Sequence, residues 1–113
     1  MRRVLAAVES ERTPERPVLA AAVRHLLADL AERSPGHAVE VRVPPYGAVQ
    51  CGEGPRHTRG TPPNVVETDP VTWILLATGR LRYEDAVEAG RVAASGARSD
   101  LTPFLGGAAE EWA

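Results

Sequence analysis

Lysine is absent from this chain: all 13 basic side chains are arginine. That excludes a Schiff-base lysine and the carbonyl chemistry that depends on one. Cysteine is nearly absent too, with Cys51 alone, so no internal disulfide can form and a reducing compartment, the cytoplasm, is expected. Aromatic residues make up only 4% and the arginines are scattered against a net charge of −2, which leaves neither a stacking platform nor a basic face for phosphates. Nucleic acid is therefore not expected as a partner. Long apolar runs are missing as well: Met1 to Val8 has two arginines and then five apolar residues before Glu9, too few for the core of a signal peptide or for a bilayer span. No metal-ligand cluster, phosphate-binding glycine loop or pair of catalytic carboxylates can be read from the spacing.

What is present fits one domain of 113 residues, with room for one core and one modest pocket. Residues 1–13 read as a flexible N-terminal segment, 14–105 as the domain, and 106–113 as a mobile tail. Thr13 and Pro14 offer a cap and first residue for a helix to about Arg33, with Pro17 counted as still inside its tolerant first turn. Leu19, Val23, Leu26, Leu27 and Leu30 recur along it at helical spacing. His25, at the edge of that stripe, has no ligand-spaced partner and receives no role.

From Val39 the pattern changes to alternation: Val39, Val41 and Val43 face one way, Glu40 and Arg42 the other, as in a half-buried strand. Pro44 to Gly47 turns the chain, and Val49 and Cys51 share a face of a returning strand, so an antiparallel hairpin is expected. Gly52 to Pro63 is too rich in glycine and proline for regular structure and reads as a surface loop. Asn64 to Glu67 forms a third short strand.

Thr68 to Gly96 organises the rest. Asp69 caps a helix whose first residue is Pro70, Gly79 closes it, and Gly90 closes a second helix over Tyr83 to Ala89 before a fourth strand at Val92. The first of these helices is apolar nearly all round: Val71, Ile74 and Leu75 make one stripe, Trp73, Leu76 and Ala77 another. The second stripe needs cover, from the core, a ligand or a partner. In the second helix Tyr83, Ala86 and Val87 are expected to face inward. The fold class that follows is α+β, a mainly antiparallel sheet of four to five strands covered on one face by helices.

The residues Thr78-Gly79-Arg80-Leu81, Asp85 to Gly90 and Arg91 to Gly96, with the upstream run from Val39 to Pro70, resemble the sterol carrier protein family, and chiefly its actinobacterial branch. The resemblance covers roughly Leu19 to Leu105. It implies a hydrophobic cavity between sheet and helices that holds a lipid, fatty acyl or sterol-like apolar molecule, with no catalysis, cofactor or metal. Val41, Val43, Val49, Trp73, Leu76 and Val87 would form its apolar wall, and Arg56, His57 and Arg59 would meet a polar head group. Two other readings stand beside it. The domain can be an interaction or accessory module without lipid, meeting a protein partner or a second copy, or a thiol enzyme using Cys51 with His57. If the cationic loop holds an anionic head group, replacing Arg56 and Arg59 by Gln weakens a fatty acid more than its methyl ester, by a margin that shrinks at high salt; equal losses in a titration of both would remove the loop from the site.

Overall fold

The computed structural model describes residues 1–10, 12–53, 64–96 and 99–105. Its elements run α1 (Arg2–Glu9), α2 (Arg16–Arg33), β1 (Val39–Val43), β2 (Gly47–Cys51), β3 (Asn64–Thr68), α3 (Pro70–Ala77), α4 (Tyr83–Glu88), β4 (Val92–Ser95) and a short 3-10 turn, Thr102–Phe104. The four strands form one sheet in the order β2-β1-β3-β4, with α2 against β2 and α4 against β4. The class is α+β, as the sequence patterns imply.

The alternation in β1 works as read. Val39, Val41 and Val43 are buried, and Glu40 and Arg42 are half-buried on the opposite face, where they pair with each other. Val41 stands opposite Val49 in the antiparallel hairpin with β2. The sheet as a whole is mixed, however, because β3 runs parallel to β1, with Val41 beside Val66. A parallel neighbour needs a connection of about a dozen residues, and β2 with the Gly52 to Pro63 stretch supplies more than that between β1 and β3.

Helix α2 begins two residues later than the capping pattern suggests. With Thr13 as cap, Pro17 would be the fourth helical residue, the first whose N–H must donate to the turn below, and proline has none. Starting at Arg16 moves Pro17 to the second position, and Leu19 then donates to the Glu15 carbonyl at 2.8 Å. In α3 the expected cap is in place: the Asp69 carboxylate accepts from the Thr72 N–H at 2.9 Å, and Pro70 opens the helix. Gly79 and Gly90 end α3 and α4 with φ of 75° and 73°, which only glycine adopts freely.

The helices bury one face of the sheet around Trp73, Ile74, Val23, Leu26 and the β1 valines. Polar atoms inside this core are satisfied: Trp73 Nε1 donates to the Val23 carbonyl at 3.3 Å and Asn64 Nδ2 to the Ala38 carbonyl at 2.9 Å. Among the described residues no buried side-chain nitrogen or oxygen lacks a hydrogen-bond partner.

The N-terminal residues, read as flexible, instead place Arg2–Glu9 in a helix whose Val4, Leu5 and Val8 are buried. It packs on α2 and α3, and Glu9 pairs with Arg80 beyond the end of α3. Two turns of helix are too short to be recognised, or to hold, without such packing. Leu5 is 5% exposed, so Leu5→Ala is expected to cost about 2–4 kcal/mol in urea unfolding. A cost near zero would return this segment to the flexible class.

Candidate functional site

Four of the six proposed wall residues meet in the core. Val41, Val43 and Trp73 have no accessible surface and Leu76 has 1%. Val41 and Val43 are therefore in close contact with their neighbours, whereas Leu76 and Trp73, almost without accessible surface, each border one of the spaces described next. Val49 is half-buried at the margin of the cluster. Val87 does not join them: it is 42% exposed, against the expectation that it faces inward. It lies four residues after Tyr83, on the same face, but in the last turn of this six-residue helix, where Tyr83 and Ala86 are covered and it is not.

An apolar groove of about 290 Å³ opens beside Leu76. Leu81, Tyr83 and Leu105 complete its apolar lining, and Arg82, Glu84 and Thr102 its polar part. The turn after α3 builds one side: Arg80 and Leu81 both donate backbone N–H groups to the Leu75 carbonyl, at 2.8 and 3.2 Å, which folds Leu81 back toward the helix. The Ser99 to Leu105 segment builds the other. Tyr83 Oη donates to the Ser99 carbonyl at 2.7 Å, Asp100 Oδ1 accepts the Thr102 N–H at 2.9 Å, and Leu101 is wholly buried. Burial, and then the nearby Asp100 carboxylate, push the Tyr83 phenol above its ordinary pKa, which keeps it a hydrogen-bond donor. The side chain of Thr102, followed by its backbone N–H, holds Asp100 below the usual carboxylate value.

Across Leu105 lies a crevice of only about 10 Å³, bordered by Leu26, Leu30, Trp73, Ala77 and Phe104 among others. Phe104 rests on Gly52, where a Cβ would stand 2.8 Å from the phenyl Cζ. A separate open groove of about 540 Å³ runs between α1 and α2, lined by Met1, Val4, Pro17, Val18, Ala21, Ala22 and His25.

Arg56, His57 and Arg59, expected at a head group, lie outside the described residues. The charged groups at the first groove are Arg82 and Glu84, which pair with each other. Sequence reasoning did not single them out, nor Leu81, Tyr83 or Leu105 as lining. One signal was available: Leu81 is an apolar residue placed beyond a helix-ending glycine, where water is the default neighbour.

The thiol reading is placed on poor ground at Cys51. That residue has no accessible surface, and desolvation pushes its pKa up to about 11, the opposite of activation. His57 lies outside the described residues, and Glu53 is exposed. Among the described residues, no group of three His, Cys, Asp or Glu is placed to hold a metal ion. No helix among them is long and apolar enough to cross a membrane.

Helices laid on one face of a small mixed sheet, with an apolar groove at the edge of the helical layer, define the class as an α+β domain. A family model described as a bacterial SCP ortholog matches residues 15–106. The chain belongs to this sterol-carrier-protein-like family, whose members point to a lipid-carrier role in general and are generally non-catalytic. No curated protein matches the chain.

The buried thiol generates a prediction with a definite sign. Folded Cys51 keeps its proton to about pH 11, whereas an unfolded thiol loses it near the ordinary value of 9.0. Between these values the unfolded chain binds fewer protons, so stability falls as pH rises, and is fully present below the lower one. Urea midpoints should therefore drop more steeply from pH 8.5 to 10.5 in the parent than in Cys51→Ala, and the native thiol should resist an aromatic disulfide reagent at pH 8 until the chain unfolds. Rapid labelling of the native protein would show the thiol to be accessible and the assignment wrong.

Proposed function

We propose that this domain is a non-enzymatic carrier that shelters the aliphatic part of a lipid, fatty acyl or sterol-like molecule between its helices and sheet. The observation that supports this most is the position of the first groove: it ends on Leu76, a residue of the second apolar stripe of α3, in a chain of a carrier-type family. The driving force is removal of methylenes from water, at about 0.8 kcal/mol each, so a chain segment of six contributes roughly 5 kcal/mol before association costs. Val41, Val43, Val49, Trp73 and Leu76 are the proposed apolar wall, reached past Leu81 and Tyr83. Arg56, His57 and Arg59 remain the proposed contacts for a polar head, with Arg82 a further candidate at the groove. Catalysis is not part of the reading, because the one thiol is buried with its proton held. The cytoplasm is the proposed compartment.

A second reading is favoured by the groove between α1 and α2. Val18 there is 44% exposed, and α1 precedes the residues that the family model matches. An accessory or self-associating module would use such a surface.

Native mass spectrometry with lipid extraction of the purified chain, and titration with a fluorescent fatty acid, test the first reading. Leu81→Asp is expected to weaken fatty-acid binding by roughly tenfold or more with an unchanged melt, because a carboxylate in the groove opposes an apolar guest. If no lipid binds, and the chain forms a dimer that Val18→Asp splits without unfolding, the second reading replaces the first.

A further inference from the structure

Leu105 borders both the groove of about 290 Å³ and the crevice over Trp73. Leu76 and Leu81 lie on the first side, Leu26, Leu30 and Trp73 on the second. Leu105 is thus the side chain common to the two spaces, the crevice being bordered as well by Asp29 and Arg33 of α2. We infer that Leu105 is a movable partition: displaced, it joins groove and crevice into one channel that leads an aliphatic chain to the Trp73 indole. The inference rests on the carrier reading for its ligand but makes a claim of its own, that Leu105 decides how far a guest in the groove reaches toward Trp73.

The way Leu105 is held supports this. Its neighbours in the same segment are anchored: Leu101 has no accessible surface, Phe104 donates its N–H to the Leu101 carbonyl at 2.8 Å, and its ring sits on Gly52. Leu105 itself is half-buried, and its N–H reaches the Thr102 carbonyl at 3.5 Å, the limit of a hydrogen bond. Its side chain can turn aside while Tyr83, Leu101 and Phe104 hold the segment in place. The channel so formed has a volume close to that of the two spaces plus one leucine side chain, at the low end of the range of about 300–1,000 Å³ found for small-molecule sites. Such a space takes one slender unbranched chain. A rigid fused-ring molecule needs width that the crevice, bounded by Leu26, Leu30 and Phe104, does not provide without further rearrangement.

The sequence has two tryptophans, Trp73 and Trp112, so the test uses the full chain with Trp112→Phe, leaving Trp73 as the reporter. Three measurements are made on this parent, on Leu105→Ala and on Leu105→Phe: acrylamide quenching without lipid, binding of hexadecanoic acid brominated at its methyl end, and binding of a fluorescent sterol. Binding is read by native mass spectrometry, and contact with Trp73 by bromine quenching. The expected result is that Leu105→Ala raises acrylamide quenching of Trp73 by roughly threefold or more, since the indole then meets solvent. The brominated acid should quench Trp73 in the parent, and Leu105→Phe should weaken that acid by roughly tenfold. The sterol should bind the parent more weakly than the acid and gain in Leu105→Ala.

If the brominated acid binds all three proteins equally, or binds without quenching Trp73, the partition is overturned while the carrier reading stands. Should no lipid bind any of them, the carrier reading fails, and the acrylamide measurement alone judges the partition. Unchanged quenching in Leu105→Ala then overturns it too. A misfolded Leu105→Phe does not rescue it, because the alanine variant and the bromine contact give independent answers.

Discussion

Burying an indole is favourable only when its N–H finds an acceptor, and in this chain the acceptor is the carbonyl of Val23, in the middle of another helix. That single requirement ties α3 to α2 across fifty residues of sequence and sets the height at which both lie over the sheet. A helix carbonyl has a second lone pair to give, so α2 keeps its own ladder while serving Trp73. Once Trp73 is seated, the β1 valines and Val66 close beneath it, and its neighbours Thr72 and Ile74 have no surface left to expose. The groove and the crevice are what remain at the margin of this packing, where the helical layer ends and the Ser99 to Leu105 segment takes over.

Much of this could be read from residue order alone. Asp69 followed by Pro70, the glycines at 79 and 90, and strict alternation from Val39 to Val43 are local signals, because each is fixed by backbone geometry within a few residues. The parallel pairing of β1 with β3 was not legible, since alternating strands look alike whichever way their neighbours run. The helix at Arg2–Glu9 was missed for a related reason: its apolar residues are few, and their partners lie on α2 and α3. Pro17 shows a finer failure, in which one position along the first turn decides where a helix can begin.

The site divides along the same line. Trp73, Leu76 and the β1 valines were identifiable as apolar surface, but whether such surface is packed core or ligand wall depends on what fills the space beside it. Leu76, Leu81 and Leu105 come from three separate segments, and no spacing in the chain announces that they meet. Arg56 and Arg59, outside the described residues, are expected at a head group only from their charge and the family likeness.

The edges of the sheet carry a different consequence. Neither outer strand has a charged side chain: β2 reads Gly-Ala-Val-Gln-Cys and β4 reads Val-Ala-Ala-Ser. Proteins commonly guard such edges with charge or proline inside the strand, to stop another chain from adding on. Here the outer strands are instead stopped by the residues at their ends. β2 follows the Pro44-Pro45 turn and stops at Gly52, and β4 runs for four residues before Gly96, at φ 98°, turns it away. Resistance to aggregation therefore rests on where the strands stop, which makes the domain's colloidal behaviour more sensitive to the glycines that end its outer strands than to the arginines spread over its surface.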